Sequence, residues 1–248
     1  MTGIYLIADK IIEISTSYSY FHKTVEACRI SMRPQISIII TKAEIDAARS
    51  KIGKEPGGMS YTSQELPGPF VESLLVRERI AEKLLNFNCL LINGASAAVD
   101  RRGFVFISRN GSLSLEFIKR WSDYFGKRCE RISVEQFIIR AAGRIIKVYD
   151  TPWENETSHS GPFPVRVIGL CILNRSEADR VEEYNPTDAV YLLSQKCFHP
   201  YTYTACEKTN SLIQTVVDNI HLYSVQISSI NDAVKILKQK MREDHLLL

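Results

Sequence analysis

Residues 108–115 read Ser-Arg-Asn-Gly-Ser-Leu-Ser-Leu, directly after an apolar run and at the opening of an amphipathic stretch. A strand that enters a helix through a tight loop is where backbone N–H groups at the helix start can hold a phosphate. The phosphate-cradling pattern G-x-x-x-x-G-K-[ST], laid on from position 108, requires glycine at 108 and 113, lysine at 114 and a hydroxyl residue at 115. The chain has Ser108, Leu113, Ser114 and Leu115 there, so every fixed position fails, and only Gly111, at a free position, is of the expected kind. The polar remnant is Ser108, Arg109, Asn110, Gly111, Ser112 and Ser114. Hydrogen bonds to charged groups are worth roughly 1.5–3 kcal/mol each, so losing the lysine and the metal-binding hydroxyl together weakens any phosphate site. Glu116, expected in the first helical turn, would satisfy the helix dipole itself and repel a phosphate at about 4 Å by ~4 kcal/mol at an effective dielectric of about 20. Replacement charge is on offer from Arg109, from Arg101 or Arg102 in the preceding turn, or from Lys119 one turn along the helix, unless these are ordinary surface cations.

Residues 90–121 form the frame that must position this loop. An apolar run (90–92), a small-residue patch, a polar turn (100–103), a second apolar run (104–107), a polar loop and an amphipathic helix from about residue 114 to 125 give strand, turn, strand, loop and helix.

That frame resembles the HPr serine kinase and phosphoenolpyruvate carboxykinase-like group of P-loop proteins, especially its short bacterial members. The resemblance rests on Asn93-Gly94-Ala95-Ser96, Val99-Asp100, Gly103-Phe104-Val105-Phe106, Gly111 and Trp121. Two later segments add to it, Val148-Tyr149-Asp150-Thr151-Pro152-Trp153 and Asn185-Pro186-Thr187-Asp188-Ala189. It covers about residues 70–200, and it implies an α/β fold with an HPr kinase-like (PEP carboxykinase-like) P-loop core. Active relatives carry an acid after the P-loop helix, and the alignment puts Glu135 there, a residue type able to accept a proton or bind Mg²⁺. It also puts Asn93 where the family has a histidine, which removes a titrating group. Trp153 follows a proline in a loop and either packs against a ligand or anchors the loop. Relatives form oligomers, which leaves a homo-oligomer open.

Composition bounds the rest. A chain of 248 residues with 45% hydrophobic and 24% charged residues can bury a substantial core. A net charge of +3, evenly spread, does not argue for nucleic-acid binding. The six cysteines show no C-x-x-C spacing and fit reduced thiols better than disulfides or zinc. Glu154, Glu156 and His159 lie close in sequence, but their i, i+2, i+5 order is a weak metal signal, and no metal is expected. No G-x-S-x-G motif and no cysteine–histidine pairing argues for a nucleophile. No apolar run reaches membrane-spanning length, residues 1–9 are too short for a signal peptide, and the expected location is the cytoplasm.

Residues 3–14 read as a β-hairpin, 17–30 as a helix and 35–41 as a strand. Together, 1–50 form a small α/β module whose last strand either stays within it or extends the main sheet. Residues 51–69, with three prolines and four glycines, form a linker or long loop, either a simple connection or a lid. The core then runs over 70–248. Its helices are expected at 70–87, 186–195, 204–219 and 231–242, and strands near 131–134, 165–173 and 224–227. A hairpin (137–140 and 145–149) and a loop over 151–164 complete it. The function expected is that of a non-catalytic member of the group, with no cofactor, binding a protein or peptide. The alternative is an ATP- and Mg-dependent serine kinase of a small molecule, peptide or carrier protein.

Overall fold

In the computed structural model, residues 1–52, 66–109, 111–154, 164–198, 200 and 202–247 are described. The chain divides into two compact units, Met1–Lys83 and Leu84–Leu248.

The first unit opens with the hairpin, β1 (Thr2–Ile7) paired antiparallel with β2 (Lys10–Ser15). Its two-residue turn, Ala8 and Asp9, has φ of 49° and 60°, the left-handed pair that matches the twist of the flanking strands. Next comes α1 (Tyr20–Thr24), then β3 (Ile36–Ile39), which pairs parallel with β2 and so stays within this unit. The helix expected over 17–30 is therefore only one short turn followed by a 3₁₀ turn, Glu26–Cys28. Thr24 donates its hydroxyl back to the Tyr20 carbonyl (3.0 Å), and the next residue is β-branched Val25, both unfavourable to helix continuation. Then come α2 (Lys42–Ile52), which the pattern reading did not anticipate, and α3 (Gly68–Leu85), most of which belongs to this unit. Residues 53–65 of the expected linker or lid lie outside the described residues. Buried Glu72 of α3 accepts from the amides of Ser17 (2.6 Å) and Tyr18 (3.0 Å).

Among the described residues, the second unit is built on a nine-stranded sheet. Its strands are β4 (Cys89–Asn93), β5 (Ala95–Val99), β6 (Arg102–Ser108), β7 (Cys129–Ser133), β8 (Gln136–Ala142), β9 (Ile145–Tyr149), β10 (Val165–Arg175), β11 (Arg180–Glu183) and β12 (His221–Ile227). The path runs β4-β8-β9-β10-β6-β5-β7. At β10 the sheet forks: its first residues pair with β9, while Gly169–Arg175 pair in parallel with β12, which carries β11. The patch at 95–99 is a strand although it is alanine-rich and weak in β propensity, because β6 and β7 pair with it on both sides.

Helices cover both faces. On one lie α5 (Pro186–Lys196) and α6 (Tyr203–Val217), on the other α4 (Gly111–Phe125) and α7 (Ile230–Glu243). The central parallel pair β6 and β10 shows why. Val105, Ile107, Leu170 and Ile172 enter the core with α5 and α6, while Phe104, Phe106, Cys171 and Leu173 enter the core with α4 and α7. A strand apolar at every position must be covered on both sides.

His22 provides a test of the first unit. Its buried ring lies 2.6 Å (Nδ1) from the Tyr5 hydroxyl and 2.8 Å (Nε2) from the Thr16 hydroxyl. Thr16 donates to the Tyr18 carbonyl (2.7 Å), so it accepts from Nε2–H, and Nδ1 accepts from Tyr5 in a neutral ring. Burial holds the His22 pKa below its ordinary 6.5. Above that value neither state carries the proton and stability is complete. As pH falls below it, the unfolded chain takes up a proton that the folded ring resists, and stability declines. The melting temperature is expected to fall between pH 7 and pH 5, with a smaller fall in His22→Asn. Equal slopes in calorimetry would refute the assignment.

Candidate functional site

The site forms where three chain segments meet at the carboxyl end of β6, the place where open α/β sheets commonly bind ligands. From β6 the chain passes into α4 through positions 109–110 alone. The helix thus begins at Gly111 rather than near Ser114, and Gly111, Ser112 and Leu113, which the phosphate pattern lays in a loop, form its first turn. Glu116 consequently falls in the second turn, not the first, and pairs with Arg175 of β10 (2.7 Å). Both partners are more than half exposed, so this pair adds little stability.

Leu113 turns into the core beside Phe117 and Trp121. Ser114 is buried, its hydroxyl 2.8 Å from that of buried Ser108. Gly111 and Ser112 are exposed, and a Cβ at Gly111 would meet open space. Asn110 lies outside the described residues.

The second segment is the passage from β4 to β5. Asn93 ends β4, and its Oδ1 accepts from Gln136 Nε2 (2.8 Å). A Cβ on Gly94 would lie 2.8 Å from the Phe106 carbonyl oxygen, so the close approach of two backbones requires glycine here. The Gly94 amide donates to the carbonyl of Glu135 (2.8 Å).

That bond links it to the third segment, the turn from β7 to β8. Buried Glu154 organises this turn. Its Oε2 accepts from the Val134 amide (2.8 Å), and its Oε1 from the amides of Glu135 (3.1 Å) and Gln136. Ser133 Oγ lies 3.0 Å from Oε1. Burial pushes the Glu154 carboxyl up, against the pull of these donors. Trp153, also buried, donates its Nε1–H to Gln136 Oε1 (2.9 Å), which joins Trp153, Gln136 and Asn93 in one chain of bonds. Glu135 itself is exposed at the tip. Glu156 and His159 lie outside the described residues, and among the described residues no cluster of three or more metal-ligating side chains exists.

Between these segments lies a cavity of about 280 Å³ lined by Asn93, Gly94, Ser108, Gly111, Ser112, Ser114, Leu115, Val134, Glu135 and Lys196. Lys196 is the member that pattern reading missed. It stands at the end of α5, and its Nζ donates to the Arg109 carbonyl (2.9 Å). None of the cations offered by the sequence lines this cavity. Arg101 and Arg102 lie at the far end of β6, about 20 Å away for six residues of strand. Lys119 is ~12 Å along α4 from Gly111. No local spacing relates position 196 to the 108–115 loop, so only folding brings Lys196 there. Glu154 was equally concealed, a carboxylate in a polar stretch that would ordinarily be solvated.

Among the described residues the arrangement offers one cation, one carboxylate, three hydroxyls and an amide. Burial pushes the Cys129 thiol up to about 11 and the Cys197 thiol up to about 12. Among the described residues no helix is long and apolar enough to cross a membrane.

No family model and no curated protein sequence matches the chain. Among solved structures it is similar to the HPr(Ser) kinase/phosphatase from Coxiella burnetii, with a TM-score of 0.36 and 7% identity over 62% of this chain and 98% of that one. Likeness of that order establishes neither common descent nor common chemistry.

Replacing Glu154 by glutamine would set an NH₂ against amide donors whichever way it is flipped, and each unmet buried donor costs about 1–3 kcal/mol. Glu154→Gln is expected to lower the melting temperature by several degrees and to strip hydrogen-exchange protection from residues 133–136. Exposed Glu135→Gln should stay within about ±0.5 kcal/mol of the parent. Unchanged protection in Glu154→Gln would show that the turn stands without the carboxylate.

Proposed function

We propose that the chain is a non-catalytic relative of the HPr kinase-like group, acting in the cytoplasm by binding a protein or peptide partner through an α/β scaffold that no longer handles nucleotide. The observation that carries this reading is the start of α4 at Gly111, with only two positions between it and the end of β6. A phosphate loop needs unwound backbone between strand and helix to wrap its ligand. Here positions 111–113, which the pattern lays in that loop, are helical.

The side chains support the same reading. ATP with Mg²⁺ does not fit these residues: the Ser114 hydroxyl is buried against Ser108, and Leu115 offers the metal nothing. The cavity of about 280 Å³ lies just below the range of ~300–1,000 Å³ usual for ligand clefts, leaving little room for a nucleoside triphosphate. Isothermal titration calorimetry with ATP and Mg²⁺ is expected to give no heat of binding up to millimolar ligand. Micromolar affinity would exclude the proposal.

One observation favours a second reading, a serine kinase using an altered phosphate site. Lys196 and Glu135 line the same cavity, a cation for a phosphoryl group and a base for a hydroxyl. On that reading Lys196→Ala and Glu135→Ala each abolish phosphate transfer from radiolabelled ATP. Labelling of an acceptor that survives both changes would remove its only candidates.

A further inference from the structure

We propose that a row of cations across the sheet of the second unit, Arg140 of β8, Lys147 of β9, Arg166 of β10 and Arg102 of β6, is a docking site for an acidic segment of a protein partner. The strand register sets them side by side: Arg140 lies opposite Lys147, Lys147 opposite Arg166, and Arg166 opposite Arg102. Neighbouring strands lie about 4.8 Å apart, so the row is about 14 Å long. Ile139, Ile146 and Val167, which flank these positions in the chain, enter the core with α5 and α6, and this turns the cations to the opposite face. Like charges directly opposite one another in a sheet are destabilising. The row repeats that arrangement from strand to strand, and none of the four strands contains an aspartate or a glutamate.

The surroundings of the row select the kind of anion. Arg102 donates to the Leu246 carbonyl (2.7 Å), which carries no formal charge, and Asp100, at the same end, is engaged by Arg128. Arg166 is exposed, and Ile145, two residues from Lys147 and so on the same face, is 46% exposed. Exposed Ala142 lies opposite Ile145. Carboxylates answer the cations, arginine above all through paired hydrogen bonds, and an aliphatic side chain answers Ile145. A peptide that mixes the two satisfies both. A single-stranded nucleic acid would ask instead for an open ring on which to stack a base, and Tyr149 and Phe104, the aromatic residues of this face next to the row, are buried. The row lies at the amino end of β6, away from the cavity at its carboxyl end. The proposal names a partner class for the reading of the chain as a peptide-binding protein and rests on that reading, not on the fate of nucleotide.

Fluorescence anisotropy with the intact chain tests it, using as probe a labelled peptide in which pairs of glutamates are separated by a leucine. Binding is expected to exceed that of the counterpart with lysine for glutamate by about tenfold or more and to weaken as salt rises. Lys147→Gln and Arg166→Gln should each reduce affinity about tenfold. Neither should lower the melting temperature, because each removes a like-charge contact. Loss of affinity in step with a lowered melting temperature in both variants would make these cations part of the fold rather than of a docking site. Undiminished affinity in both variants, equal binding of the two peptides, or tighter binding of an oligonucleotide would likewise overturn the proposal. ATP takes no part in the assay, so a negative result here leaves the calorimetric test of the nucleotide site standing, and heat from ATP in that test would count against the wider reading without moving these affinities.

Discussion

The seating of α4 on β6 is the constraint on which the second unit depends. Phe104 and Phe106 meet Trp121 at ring-centroid distances of 5.8 and 5.3 Å, Phe106 meets Phe117 at 5.4 Å, and Trp121 meets Phe125 at 4.7 Å. Each such side chain is worth roughly 1.5–3 kcal/mol when fully buried, and each well-placed aromatic pair about 0.5–1.5 kcal/mol more. The alanines of β5 belong to the same arrangement: Ala95 and Ala97 lie in this core, where larger side chains would compete with the rings for space. A helix gripped this tightly over its length has little freedom at its start, and Leu113 is already part of the grip in the first turn.

The character of the cavity follows from that grip. Its polar groups are largely satisfied by one another: Ser108 by Ser114, the Arg109 carbonyl by Lys196, the Gly94 amide by the Glu135 carbonyl. Glu154 does for the turn at 133–136 what a bound anion does at a cluster of amides, but it is supplied by the chain itself. Groups paired in this way hold a shape without a ligand. They also have less to offer one, since a ligand must replace bonds already made.

Much of the architecture was legible because its signals are local. The hairpin at β1 and β2, the apolar strands β6 and β10, the hairpin of β8 and β9, and the helices α3 to α7 all declare themselves through periodicity or turn residues. Asn185 ahead of Pro186 is a readable helix start, and its side chain accepts from the amides of Thr187 (2.8 Å) and Asp188 (3.2 Å). Where the reading fell short, either long-range pairing had overruled local preference or residues inside a periodic stretch did not support it. β5 is a strand because two neighbours pair with it, and the 17–30 stretch breaks where helical spacing continues but Thr24 and Val25 do not support it.

By itself, the sequence determined that this chain folds as a mixed α/β protein and that residues 108–115 lack every fixed group of a phosphate loop, since both are statements about residue type and spacing. Only the tertiary structure decided that α4 starts at Gly111, that Lys196 reaches the cavity and that Glu154 is buried among the amides of the 133–136 turn. The reason is physical: those features are contacts between segments far apart in the chain, chosen by burial and by the pairing of polar groups, and no local pattern records them.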